Sequence, residues 1–125
     1  MRQMDFLELT EKRFSCRAYA DRSVEKEKIQ YLLECARMAP SAVNRQPWRF
    51  HVLPTGNETR LLWDTYNREW FKSAPACIAV VLLHDEEWVR ADGKPHGNID
   101  AAIAAEHICL AAAEQGLASC WVCNF

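Results

Sequence analysis

The stretch from Ile99 to Gln115 limits the fold more than any other part of this chain. Seven of its residues are alanine, and most of the others are apolar. Such a run reads as one helix of about 25 Å. A helix with small or apolar side chains nearly all round is buried, or lies close against a partner helix. Its polar residues Asp100, His107 and Glu114 recur every seven positions and so fall on nearly one line. His107 reads as a hydrogen-bonded interior histidine, and Asp100 as a carboxylate favoured at a helix N-terminus. Gly116 supplies the residue that ends the helix.

The remaining elements follow from periodicity. Asp5 to Lys12 is a short helix with Phe6, Leu7 and Leu9 on its apolar side. Ser23 is an N-cap, and Ile29, Leu32, Leu33 and Ala36 then recur with helical spacing until Pro40 stops the helix. Trp48, Phe50 and Val52 alternate with Arg49 and His51, which is a strand closed by Pro54-Thr55-Gly56-Asn57. A helix is expected from Glu58 to Trp70. The continuous apolar run Cys77 to Leu83 predicts a central strand covered on both faces. His84 to Gly97 reads as a polar loop able to act as a lid, and Leu117 to Phe125 as a last strand. Interleaved helices and strands in a chain of 125 residues make one α+β domain with enough apolar material for a core.

Composition excludes several classes of function. With 15 basic and 17 acidic residues and no long run of either sign, no nucleic-acid surface is expected. The N-terminus Met-Arg-Gln-Met-Asp-Phe has no apolar core of signal-peptide length. Nor does any stretch approach the roughly 18 apolar residues of a membrane span. The chain is expected to be soluble and cytoplasmic, with no membrane partner. Its six cysteines then read as reduced thiols. Only Cys120 and Cys123 have a redox spacing, and a single C-x-x-C lacks the second pair of a zinc site. His84, Asp85, Glu86 and Glu87 are adjacent on a loop and do not form a metal cluster, so no metal is expected.

Two stretches carry chemistry. In Arg13-Phe14-Ser15-Cys16-Arg17, alternate residues of an extended backbone would set two guanidinium groups and a hydroxyl on one side. That is an anion clamp for a phosphate-sized target, or else a surface turn with two solvated arginines. The second stretch is Ala39-Pro40-Ser41-Ala42-Val43-Asn44-Arg45-Gln46-Pro47-Trp48.

Through Arg13-x-Ser15-x-Arg17, Pro40-Ser41-x-x-Asn44-x-Gln46-Pro47-Trp48 and the alanine-rich helix ending Gln115-Gly116-Leu117, the chain resembles the nitroreductase family over essentially its whole length. The resemblance implies an α+β fold, a nitroreductase-like mixed sheet flanked by helices, in a dimeric flavin-binding arrangement. It implies a homodimer with one FMN in each of two interface clefts. NADH or NADPH would reduce the flavin, and a small electron acceptor such as a nitroaromatic or quinone would reoxidise it by a ping-pong mechanism. No side chain need act as acid or base.

Carried over by residue, Arg13 and Ser15 look like phosphate contacts, beside Cys16, and Arg17 like a cation near the N1/O2 edge of the ring. Pro40, Ser41, Ala42 and Asn44 look like the segment reaching the flavin of the other subunit. Asn67 falls where an amide faces the pyrimidine edge, and Asp100 near the cleft. Trp121, Val122, Cys123 and Asn124 look like the strand whose backbone N–H groups approach N5 and O4. Family members continue well past Phe125, so residues 1–125 are expected to be a single FMN-binding domain that is short at its C-terminus. A non-catalytic or truncated flavin-binding module is the alternative, and a thiol-redox protein using Cys120 and Cys123 a third reading.

Overall fold

The alanine-rich stretch forms helix α5, Gly97–Glu114, in the computed structural model, which describes residues 3–125. Met1 and Arg2, the first residues of the N-terminus expected to lack a signal segment, lie outside the described residues. Helix α5 packs on α2, Lys26–Arg37, and also touches both strands of the sheet. One buried cluster joins Leu32 and Ala36 of α2 to Ile108, Ala111 and Ala112 of α5. A second joins Ala104 to Ala39 and Trp48. Ala36 and Ala104 are completely buried, so small side chains let these elements approach closely.

The polar line on α5 runs from buried Asp100 through half-buried His107 to exposed Glu114, and each residue has a partner. Glu114 accepts a hydrogen bond from the Tyr31 hydroxyl. His107 Nδ1 lies 2.9 Å from the Cys35 carbonyl, which can only accept, so Nδ1 carries the proton. Asp100 Oδ1 accepts from the Ala42 amide at 2.9 Å, just beyond the end of α2. Residues seven apart therefore form three polar rungs along one seam.

At the other helix ends, the N-cap of α2 is Glu25 rather than Ser23, and Glu25 uses its carboxylate on Lys28 at 3.1 Å instead of the backbone. Helix α1, Phe6–Lys12, starts in a capping box: the Glu8 amide donates to Asp5 Oδ1 at 2.9 Å. Its apolar side stays in the open, with Phe6 and Leu7 exposed.

Strand β1, Trp48–Leu53, alternates as its sequence predicts and pairs antiparallel with β2, Cys77–Leu82, Trp48 opposite Leu82. Strand β2 is half-buried along its whole length and pairs only with β1 among the described residues. The expected central strand is here one side of a two-stranded sheet. The expected helix from Glu58 to Trp70 is broken into α3, Gly56–Thr59, a tight turn over Arg60–Thr65, and α4, Glu69–Lys72. Tyr66 adopts an extended backbone, and its ring meets Trp70 and Phe71 edge-on at 5.7 and 5.4 Å. Aromatic packing outweighs a weak helical propensity at this point.

The stretch expected to be a lid is tied down. Glu87 Oε2 accepts from the Gly97 amide at 3.1 Å, the His96 amide donates to the Trp88 carbonyl at 2.9 Å, and Val89 bridges Pro95. A Cβ on Gly97 would stand 2.1 Å from that carboxylate oxygen, so the glycine admits the cap. Residues after Gly116 do not form the expected strand; they make one parallel bridge, Ser15 to Ser119. A strand requires a continuous ladder, and the described residues offer this segment no second partner.

Close approach at Ala104 has a direct check. Replacing Ala104 by leucine overpacks the contact with Trp48 and lowers stability by about 1–3 kcal/mol, read as a lower denaturation midpoint at unchanged slope. An unchanged midpoint would mean the contact is loose.

Candidate functional site

Arg13 leaves α1 with an extended backbone, φ −68° and ψ 126°. Two residues on, Ser15 bridges Ser119, and the Cys16 amide donates to the Ser119 carbonyl at 2.9 Å. Stretches from the two ends of the chain are thereby joined side by side. The flanking arginines rest on different partners. Arg13 Nε lies 3.5 Å from Glu106 Oε1 of α5, and the Arg17 guanidinium sits over the Trp70 ring, 5.9 Å from its centroid. Each guanidinium has five N–H donors, so most of their donor capacity remains for a ligand. Lys12, Arg13 and Ser119 share the wall of a cavity of about 290 Å³ with Cys109, Ala113 and Leu117.

Tyr19 buttresses this junction. Its hydroxyl donates to the Cys16 carbonyl at 2.8 Å, and its amide donates to the Ser73 hydroxyl at 3.2 Å. Burial pushes the Tyr19 hydroxyl up, and the nearby thiols of Cys120 and Cys16 push it further, so it stays a donor at neutral pH. The Trp121 indole N–H donates to Cys109 Sγ at 3.1 Å and ties the segment after α5 back to that helix. Val122 is half-buried, while Cys123 and Asn124 are exposed.

The Pro40–Gln46 loop is built differently. Val43, Asn44 and Gln46 have φ of 55°, 54° and 52°. For a β-branched valine this left-handed conformation is a true outlier, and such residues store of order 1–3 kcal/mol each. The loop is held by Ser41 Oγ, which accepts from the Gln46 amide at 2.9 Å, and by Asp100. Asp100 is 2% exposed, and among the described residues its Oδ2 has no hydrogen-bond partner. It sits in the first turn of α5, where the helix dipole offsets part of the burial of its charge. Asp100, expected near the cleft, lies beneath the loop and acts on it through Ala42. The strained Val43 is left 70% exposed.

The site residues thus form two groups on one helix. Arg13 through Arg17 gather with Ser119 and Trp121 toward the C-terminal half of α5; Pro40, Ser41, Ala42 and Asn44 gather at its N-terminus over Asp100. Asp100 and Cys109 are about 13 Å apart along the axis. Asn67 is exposed in a turn before α4, and among the described residues no hydrogen bond or ion pair ties it to either group. Sequence reasoning passed over Ser119, Cys109 and Glu106. Glu106 had a visible signal: it is the one acidic residue of α5 off the seven-residue line, and in the structure it faces Arg13. Among the described residues, no group of three or more His, Cys, Asp or Glu side chains could hold a metal ion.

A family model described as "Nitroreductase family" matches residues 10–66 and 57–125. A Methanothermobacter thermautotrophicus protein provisionally named NADH dehydrogenase/NAD(P)H nitroreductase is 32% identical over 120 residues, 95% of this chain and 61% of that protein. The chain therefore spans about three-fifths of that relative's length. A crystal structure of a nitroreductase family protein from Clostridium difficile superimposes with a TM-score of 0.89 at 44% identity, over 98% of this chain and 70% of that one. A Desulfovibrio desulfuricans structure, provisionally described as a nitroreductase in complex with FMN, gives a TM-score of 0.80 at 26% identity, over 94% and 67% of the two chains.

The hold of Asp100 on the loop is testable by hydrogen exchange. Asp100→Ala leaves the Ala42 amide without its acceptor, a loss of about 1–3 kcal/mol, and speeds exchange of that amide about tenfold or more. Asp100→Asn keeps an oxygen in place and retains protection. Equal protection in all three proteins would show that the loop is held by other means.

Proposed function

The chain belongs to the nitroreductase family, and on that premise we propose that residues 1–125 form one FMN-binding domain of an NAD(P)H-dependent flavin oxidoreductase acting as a homodimer. The observation that carries the reading is the Cys16–Ser119 junction. It sets the arginine-flanked segment beside the segment leading to Trp121–Asn124, the two stretches to which the family resemblance assigns the phosphate and the ring. The residues fit the group. Lys12 and Arg13 line one cavity with the Ser119 hydroxyl, and two cations with a hydroxyl suit a phosphate dianion.

When bound, FMN supplies hydride chemistry, oxidising NADH or NADPH in one half-reaction and reducing a small acceptor such as a nitroaromatic or quinone in the next. The protein's part is to bind, orient and tune. Arg13 and Ser15 hold the phosphate, with Cys16 offering main chain alongside. Arg17 provides a fixed cation for the ring edge that gains negative charge on reduction, and Trp70 beneath its guanidinium keeps it oriented. Trp121, Val122, Cys123 and Asn124 offer backbone N–H groups to the ring, and Asn67 offers an amide. Pro40, Ser41, Ala42 and Asn44 serve the other protomer's site from the strained loop, whose exposed Val43 faces outward.

No helix among the described residues is long and apolar enough to cross a membrane. A cytoplasmic location belongs to the same proposal, and six free thiols suit such a reducing compartment.

Titration of the purified protein with FMN, followed by anaerobic NADH or NADPH, tests the reading. The protein takes up FMN, and the visible flavin band bleaches on reduction. Arg13→Ala removes charge-assisted hydrogen bonds of about 1.5–3 kcal/mol and weakens FMN binding on the order of 10- to 100-fold. Failure of the full-length protein to take up FMN would overturn the proposal.

A further inference from the structure

We propose that Cys16 and Cys120 are a reversible disulfide pair, closed by a peroxide, that staples the Arg13–Arg17 segment to the segment following α5. Register carries the inference. Ser15 bridges Ser119 in parallel, and the Cys16 amide donates to the Ser119 carbonyl at 2.9 Å. The bridge is isolated, but continuing its register by one step would pair Cys16 with Cys120, and both thiols act on the Tyr19 hydroxyl. Parallel neighbours at the same register point to the same face, with backbones about 4.8 Å apart. A disulfide spans Cα separations of about 4.4–6.8 Å, a range that includes this spacing.

Both thiols are half-buried, and each now leans on a carbonyl of its own stretch. Cys16 Sγ lies 3.1 Å from the Ala18 oxygen, and Cys120 Sγ lies 3.4 Å from the Trp121 oxygen. These are weak S–H donors, and rotation of the two side chains releases them. The Tyr19 hydroxyl, bonded to the Cys16 carbonyl, fixes the backbone on which one thiol is carried.

The other thiols are poorer partners. Cys109 is buried and accepts the Trp121 indole N–H; Cys77 is half-buried in β2. Burial pushes both of these thiols up, which keeps them protonated and slow to attack. Cys123 is exposed, but it stands three residues beyond Cys120 in a non-helical stretch. An odd spacing in extended chain directs the two side chains to opposite sides. The C-x-x-C spacing is therefore incidental, and the redox partner of Cys120 comes from the other end of the chain.

With hydrogen peroxide as oxidant the step balances. One thiolate attacks a peroxide oxygen; an S–O bond forms, the O–O bond breaks and hydroxide leaves. The second thiol, losing its proton, displaces the hydroxyl from that sulfenic acid as water, and the S–S bond forms. The two thiols lose two electrons and two protons, and peroxide becomes two waters. Closure fixes the spacing of the two stretches; a small thiol reopens it.

Peptide mapping decides the matter without a variant. The full-length protein is treated with hydrogen peroxide, its remaining thiols are alkylated, and it is digested with trypsin. Cleavage after Arg13 and Arg17 releases Phe14-Ser15-Cys16-Arg17, in which Cys16 is alone. The expected result is this tetrapeptide linked to the peptide containing Cys120, with fragmentation placing the bond at Cys120 rather than Cys109 or Cys123. Dithiothreitol separates the two. Cys120→Ser leaves Cys16 free for alkylation, and Cys123→Ser leaves the link in place. Alkylated Cys16 after oxidation of the wild-type protein, or a link at Cys109 or Cys123, overturns the proposal.

Discussion

The pairing of α5 with α2 is the contact on which the rest of the structure depends. Its apolar part is ordinary: Leu32, Ala36, Ile108, Ala111 and Ala112 leave water together, and burial of a leucine or isoleucine contributes about 1.5–3 kcal/mol. Such a contact is tolerant of sliding, because small and aliphatic side chains repack easily. The polar seam removes that tolerance. Tyr31–Glu114 and Cys35–His107 cross between the two helices, and Ala42–Asp100 ties α5 to the loop after α2, at seven-residue intervals along α5. Turning α5 by one residue would swing all three groups about 100° away from their partners. Buried polar groups without partners are costly, so the part-buried His107 and Asp100 rungs select one register from many.

That register places both halves of the candidate site. At one end of α5, Asp100 reaches past the end of α2 to hold the Ala42 amide and, through it, a loop with three residues in the left-handed region. At the other, Glu106 meets Arg13 and Cys109 accepts from Trp121, so the clamp segment and the segment after α5 both lean on the same helix. A single rigid element thus sets the spacing of groups that lie far apart in sequence. Donors are thereby held at fixed positions, with strain confined to the loop that reaches outward.

Much of this was legible in the residues. Strand β1 alternates where Trp48, Phe50 and Val52 predict, and the alanine run becomes the long helix with its polar line intact. What failed has local causes. Tyr66 satisfies its ring against Trp70 and Phe71 by leaving the helix, which no periodicity count registers. The polar stretch before Gly97 looked mobile because its composition is polar. It is fixed by Glu87, whose carboxylate caps α5 through a glycine that admits it. Leu117–Phe125 has the apolar content of a strand but finds one bridge instead of a ladder, and a strand exists only with its partner. In the site, residue types were readable and partners were not. Arg13 and Arg17 read as a pair, yet one answers to Glu106 and the other to Trp70, because extended spacing sets direction but not what lies there.

The seam is tested most directly by the tautomer of His107, read from ring nitrogen shifts in an NMR spectrum. A proton fixed on Nδ1 and protected from exchange is the predicted result, since the Cys35 carbonyl 2.9 Å away can only accept. A proton on Nε2, or an Nδ1 proton that exchanges freely with water, would show that α5 does not sit on α2 in this register, and the placement of both halves of the site would fall with it.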